Sequence, residues 1–405
     1  MTEHTAPLTV AAPSSETDRE PPQTTLRAII CVIVCAGFFG LAYGYSLPVL
    51  SLIMEREGLD STLIGLNTAI SSAAVLVFGP FVPRLLGRFG LRAPILVSVV
   101  LGVALIPPIA FTEPLYAWFP LRFLLGAVIF TALIASDIWV TQGASAKMRG
   151  RFVGFYGAAI AGGIAAGPLF VSVTGSEGNA PYYCAGGLLA AAIVPMLFAY
   201  GPAPSVARSG IPTLRSFVFT VPIATMAVII FGVMDPSILS LLPIYGLRQG
   251  ISEAQAVTLV SLVMGGSVLL QPAIGYLADR VRKSIVLGLL GALGCIAAIL
   301  LPLFFDVPAV LYPALFVLGG SVSGLYVVSL AILGDRFFGG ALAAAVTVFT
   351  MLTSAGATVG PVLAGAAMRR FEPDGFPVSI AIAMLLVPLV GLVTWVAAQA
   401  NRPRT

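Results

Sequence analysis

Twelve runs of about 20 or more apolar residues, separated by short polar or charged breaks, dominate this chain. At 1.5 Å per residue each run can cross roughly 30 Å of hydrocarbon as a helix, where every backbone N–H and C=O must be satisfied within the segment. The first six cover about 28–54, 62–86, 93–112, 117–142, 152–174 and 182–201. The others cover about 216–246, 254–278, 284–305, 309–334, 339–368 and 376–399. An all-α membrane protein with 12 transmembrane helices is expected. Charge agrees: 21 basic and 17 acidic side chains, 9% of 405 residues, cannot coat the water-exposed surface of a soluble protein of 41.9 kDa. Soluble enzymes, nucleic-acid binders and secreted disulfide scaffolds are excluded on that ground.

Cys31, Cys35, Cys184 and Cys295 all lie inside apolar stretches and read as small buried hydrophobes, so neither a metal site nor a cofactor is expected. The only histidine, His4, falls in a polar N-terminal tail too poor in apolar residues to fold, which removes a histidine proton relay within the membrane. The first apolar run is too long for a signal-peptide core and reads as a retained helix 1.

Basic residues in alternate loops set orientation. With the N-terminus inside, the cytoplasmic segments carry 16 of the 21: Arg19 and Arg27; Arg84, Arg88 and Arg92; Lys147, Arg149 and Arg151; Arg208 and Arg215; Arg280, Arg282 and Lys283; Arg336; Arg402 and Arg404. The other side carries Arg56, Arg248, Arg369 and Arg370, and Arg122 lies within a span. Both termini are therefore expected in the cytoplasm, and the net charge of +4 reports topology, not a nucleic-acid partner.

The sequence repeats itself at an offset of 192 to 193. Phe39-Gly40 recurs as Phe231-Gly232, Gly58 as Gly250, Arg88 as Arg280, Gly126 as Gly319, and Gly163…Gly167-Pro168 as Gly356…Gly360-Pro361. That offset equals six helices with their loops, so two parallel six-helix repeats are expected, with a cleft at the pseudo-twofold axis. The domains read as a disordered tail over 1–27, a bundle over 28–201, a cytoplasmic linker over 202–215, a second bundle over 216–399 and a tail over 400–405.

Four motifs make the chain resemble the major facilitator superfamily over nearly its whole length. The helix 8–9 loop, with Gly275, Asp279, Arg280, Arg282 and Lys283, is similar to the family's G-x-x-x-D-R-x-G-R-K signature, Arg282 replacing the second glycine. Its helix 2–3 counterpart is degenerate, with Pro83 and Gly87 at the first Gly and the Asp positions but Arg88, Gly90 and Arg92 kept. Helix 4 carries Arg122 and Gly126 in the family's R-x-x-x-G pattern. Helix 5 ends Gly163-x-x-x-Gly167-Pro168, resembling the proton-linked exporter branch. The resemblance implies the twelve-helix fold, alternating access, and a conformational latch built on Arg88, Gly90, Arg92, Gly275, Asp279, Arg280 and Lys283. Gly163, Gly167 and Pro168, with Gly356, Gly360 and Pro361, read as close helix-packing contacts.

Ionisable groups in hydrocarbon cost at least about 2.5–3.5 kcal/mol each, which singles out Arg122, Asp137 and Asp235 as substrate or proton-coupling candidates. Arg122 and Asp137 lie about 22 Å apart along helix 4 and project within roughly 60° of one another. In the superfamily that the chain resembles, helices 1, 4, 7 and 10 line the cavity, which implies that Arg122 and Asp235 stand on lining helices at comparable depth, either as mutual partners or as competing sites for a proton and a substrate. Their bland readings are snorkelling of Arg122, bracing of Asp137 against Arg149 or Arg151, and satisfaction of proline-loosened backbone donors by Asp235. Tyr43, Tyr45, Asn67, Ser71, Trp139, Ser267, Gln271 and Tyr326 are the other candidate cavity residues; rings with sparse hydrogen-bond groups suit a largely apolar or weakly cationic organic solute.

The expected function is secondary transport by alternating access in the cell inner (plasma) membrane, with proton-coupled efflux of a small organic molecule leading and a metabolite uptake symporter or uniporter as the alternative. A transporter-like sensor shares the scaffold. No P-loop lysine motif or clustered nucleophile and base is present, so neither ATP hydrolysis nor another enzymatic activity is expected. The expected partners are a small-molecule substrate, protons and the lipid bilayer, and the expected state is a monomer.

Overall fold

The computed structural model describes residues 25–111, 115–144, 148–201, 221–336 and 339–400. Twelve helices long and apolar enough to cross a membrane run through them. They are α1 (Leu26–Arg56), α2 (Ser61–Phe89), α3 (Arg92–Phe111), α4 (Trp118–Gly143), α5 (Arg151–Thr174), α6 (Ala180–Leu197), α7 (Pro222–Arg248), α8 (Glu253–Arg280), α9 (Lys283–Leu303), α10 (Pro308–Arg336), α11 (Val348–Arg370) and α12 (Gly375–Thr394). The expected linker over 202–215 and the tail over 1–24 lie outside the described residues.

Helix ends follow local chemistry. Thr25 caps α1 through the Ala28 N–H, and Asp60 caps α2 by accepting from Thr62 N at 2.8 Å and Leu63 N at 3.2 Å. Ser252 and Gln255 form a reciprocal capping box at α8. The turn after α1 needs Gly58 at φ +80° and the turn after α7 needs Gly250 at φ +87°, which is why that pair recurs in the sequence. Prolines explain the breaks: α2 passes through a 3-10 turn at Gly79–Phe81, α8 breaks at Leu270 before Pro272, and α6 breaks at Ala192 before Pro195. Helix 6 accordingly ends at Leu197 instead of 201, and helix 7 is described from Pro222.

The two repeats pack alike. A Cβ on Gly163 would run into the Gly37 carbonyl and one on Gly167 into Gly44, so α5 lies directly against α1. At offsets of 192 to 193, Gly356 meets the Ile229 carbonyl and Gly360 meets Val233, setting α11 against α7. Gly126 lets α4 approach Ser71 of α2, and Gly319 lets α10 approach Val263 of α8. Small residues permit such approach, which supplies dispersion contacts where lipid provides no hydrophobic drive. Outward, Val97, Val100 and Leu101 of α3, Leu289, Leu293 and Ile296 of α9, and Ile382, Leu385 and Leu389 of α12 are exposed, as lipid-facing positions should be. The chain is thus a multi-pass membrane protein of two parallel six-helix repeats.

The halves touch through α2–α11, α5–α8, α1–α7 and α2–α7. The closest of these contacts lie at the face opposite the termini: Ser61 Oγ donates to Gly365 O at 2.8 Å, and a Cβ on Gly65 would strike the Pro361 carbonyl. At the terminus face Asp137, near the end of α4, is exposed, although it lies within electrostatic range of Tyr156 on α5 and Tyr326 on α10 of the other half. The close contacts between the halves thus gather at the face opposite the termini, and Asp137 is an exposed group near the terminus face.

Candidate functional site

Beneath the closed face, α4, α1 and α7 bring Arg122, Tyr43 and Asp235 together. Arg122 stands four residues into α4 and is only 3% exposed, so it does not snorkel to the interface. Tyr43 lies within electrostatic range of both Asp235 and Arg122. No ion pair joins Arg122 to Asp235, and Arg122 Nε has no hydrogen-bond partner. The sequence left partnership or competition open; the two charges make no ion pair here, and Tyr43 lies within electrostatic range of both. Tyr43 and Asp235 stand 192 residues apart, so they are pseudosymmetric mates, one half offering a phenol where the other offers a carboxylate.

Asp137 lies apart from that cluster, on the open side. Its neighbours are Tyr156, whose hydroxyl donates to Leu133 O at 3.0 Å, and Tyr326, whose ring packs on Phe231 at 4.9 Å and Phe349 at 5.1 Å. Tyr156 and Phe349 were not singled out from sequence, because their aromatic character matches that of any core residue, and Phe231 entered only through the repeat. The Lys147 and Arg149 side chains lie outside the described set.

The remaining expected cavity residues divide. Ser71 Oγ donates to Arg122 O at 3.2 Å and Ser267 Oγ to Gly319 O at 3.0 Å, so both hydroxyls tie α2 to α4 and α8 to α10. Tyr45 is fully buried, with its hydroxyl 2.8 Å from Thr174 Oγ1, tying α1 to α5. Trp139 is likewise buried in the core. Asn67 is 2% exposed and its Nδ2 finds no acceptor. Gln271 begins the segment after the α8 break and is half-buried.

The closed face holds an ion-pair network that composition hid. Arg56 donates to Glu253 at 2.6 Å and also to Ser176 Oγ at 2.7 Å. Arg248 makes a two-pronged contact with Glu55, Nε to Oε1 at 2.9 Å and Nη2 to Oε2 at 3.1 Å, and pairs with Glu372. Arg369 sits 3.6 Å from Asp60. Each of the Arg56–Glu253, Arg248–Glu55 and Arg369–Asp60 pairs joins one half to the other. Arg56 and Arg248 are 192 residues apart, so the repeat offset applied to the arginines that break the charge rule would have found them.

Partial burial opposes the Asp60 carboxylate, but the N–H groups of Leu63 and Thr62, with Arg369 behind them, outweigh it and hold its pKa below the ordinary value.

On the open face the expected latch residues have local partners. Lys283 pairs with Asp335 at 2.7 Å within the second half, Arg280 lies 4.2 Å over the Tyr276 ring, Arg88 lies 5.4 Å over Phe89 and Arg92 lies 5.4 Å over Tyr200. Asp279 is exposed with no ion pair among the described residues, Gly275 has open space around it, and Gly90 supplies a φ of +71° for the turn.

A family model described as Major Facilitator Superfamily matches residues 32–347 and 250–405. A relative from Bacillus subtilis (strain 168), named "Uncharacterized MFS-type transporter YfkF", is 24% identical over 381 residues, covering 92% of this chain and 95% of its own length. A second, from Yersinia enterocolitica, named "Uncharacterized MFS-type transporter YE1530", is 22% identical over 357 residues, covering 86% and 91%. Among solved structures, a nucleoside transporter NupG mutant superposes with TM-score 0.72 at 14% identity, covering 92% of this chain and 99% of that one. A D-xylose-proton symporter superposes with TM-score 0.69 at 19% identity, covering 90% and 96%. These likenesses concern the fold.

Proposed function

The chain belongs to the major facilitator superfamily and is a transporter, not an enzyme; on that premise we propose that it moves a small organic solute by alternating access, coupled to protons at Asp235. The observation that carries this reading is the separation of Arg122 from Asp235 beneath a closed face. A carboxylate in an enclosed site with no paired cation is stable when it takes a proton, and it can change that state as the site turns from one side of the membrane to the other.

The number of sites bears on direction. Exchange of protons for solute, as in efflux, needs each to exclude the other, most simply by competing for one group. Two unpaired groups, Arg122 and Asp235, allow proton and solute to be held together, which favours movement in the same direction. The helix 5 glycine and proline motif keeps efflux by exchange as the second reading. Asp137 is the group that a solute entering from the open side meets first, with Tyr326 beside it.

The terminus face is read as cytoplasmic, from the excess of Lys and Arg in its loops, and the membrane as the cell inner membrane. The working units are the bundles over 28–201 and 216–399, joined by the linker over 202–215, acting as a monomer. The α1–α5 and α7–α11 glycine contacts serve as rigid seams, so that each bundle rocks as a body. The latch residues pair across the halves in the opposite state, when the terminus face closes. Imposing a pH gradient across proteoliposomes and following a panel of organic solutes tests this: accumulation of a solute with the proton gradient supports co-movement, and accumulation against it supports exchange.

A further inference from the structure

We propose that Arg122 and Asn67 form a subsite for a single anionic group, a carboxylate, on the transported solute; the inference rests on the proton-coupled reading above and names the solute's chemistry. Arg122 is 3% and Asn67 2% exposed, and Arg122 Nε and Asn67 Nδ2 both lack acceptors. Buried donors are nearly always satisfied, so unsatisfied ones on the facing helices α2 and α4, where Trp118 Nε1 one turn from Arg122 is a third, point to an acceptor supplied by a ligand.

The two residues occupy facing turns. Asn67, Ser71 and Phe78 form one stripe of α2, and this stripe lies against α4, since Ser71 Oγ donates to Arg122 O at 3.2 Å and the Phe78 ring lies 5.7 Å from Phe123. Asn67 is one turn from Ser71 and so stands beside the turn that carries Arg122. Tyr43 lies within electrostatic range of Arg122 and so stands beside this pair. A planar guanidinium flanked by an amide matches a carboxylate, which accepts two parallel N–H bonds.

The charge balance limits the ligand to one negative charge. Arg122 is the cation of the cluster, and Asp235, which like Arg122 lies within electrostatic range of Tyr43, would repel a second anionic group. Protonation of Asp235 removes that repulsion, so proton and monoanion favour each other's binding, and by linkage the effect is reciprocal.

The test uses the full chain in lipid nanodiscs, its melting temperature being measured with monocarboxylates from acetate to octanoate, with benzoate, and with the matching primary amides and amines. The carboxylates are expected to raise the melting temperature while amides and amines do not, because only binding to the folded state shifts it. Arg122→Lys and Asn67→Ala should each raise the half-saturating carboxylate concentration about tenfold, and Arg122→Gln should abolish the shift. Equal shifts with amides or amines, an undiminished carboxylate shift in Arg122→Gln, or no shift with any carboxylate would overturn the proposal. Should Arg122→Gln fail to fold, the other two variants decide. A carboxylate shift that survives alongside pH-independent transport would sink the proton-coupled reading and leave this one standing.

Discussion

Arg248 Nε lies 2.9 Å from Glu55 Oε1, and that contact fastens the end of α7 to the end of α1 across the two halves. Both side chains are mostly enclosed, so water screens the pair little and its loss should move the conformational balance. Arg248→Ala is expected to weaken the closed face by about 1.5–3 kcal/mol, a ten- to hundred-fold shift in population. Distances between spin labels placed near positions 58 and 250 would lengthen. The reversed pair, Glu55→Arg with Arg248→Glu, should restore part of the closed population; unchanged distances in Arg248→Ala would remove the pair from the gate.

The seams between α1 and α5 and between α7 and α11 tolerate no side chain. Gly163→Leu or Gly356→Leu would press directly on backbone of the neighbouring helix and should destabilise the chain by about 1–3 kcal/mol. Gly154→Leu, at a position on α5 with open space, should leave the melting temperature unchanged.

Asp60 gives the closed face a pH dependence of known sign. Its pKa is lowered in the fold, so its contribution is present above the unfolded value near 3.9 and is lost as pH falls through the folded value. Hydrogen exchange at the Thr62 and Leu63 amides should therefore be slow at neutral pH and speed up on acidification below about pH 4 beyond the intrinsic rate, and Asp60→Asn should flatten that response.

Asp137 is exposed toward the terminus face, so Asp137→Cys should react with a membrane-impermeant maleimide applied from that face and not from the other. Reaction from the opposite face alone would contradict the direction in which the molecule opens.

The twelve helices were legible because hydrocarbon thickness fixes a length that composition alone reveals, and the repeat was legible because Gly58 and Gly250, or Gly163 and Gly356, meet the same steric demand twice. The three membrane charges were legible from their cost. The helix-tying hydrogen bonds of Ser71 and Ser267 were not legible, since a polar residue in a helix reads alike whether its hydroxyl meets a solute or a neighbouring carbonyl. The gate was half legible: the repeat offset relates Arg56 to Arg248, but Glu55 and Glu253 look like ordinary loop-end charges until the fold brings the ends of α1, α7 and α8 together. Tyr43 needed the same placement, for its tie to Asp235 exists only across the pseudo-twofold axis.

The most direct test of the central claim is solute flux in proteoliposomes under an imposed pH gradient, comparing the native chain with Asp235→Asn. The expected result is a gradient-driven solute accumulation that Asp235→Asn loses while it still exchanges labelled for unlabelled solute across the membrane. Accumulation in Asp235→Asn that keeps its full dependence on the pH gradient would contradict the account.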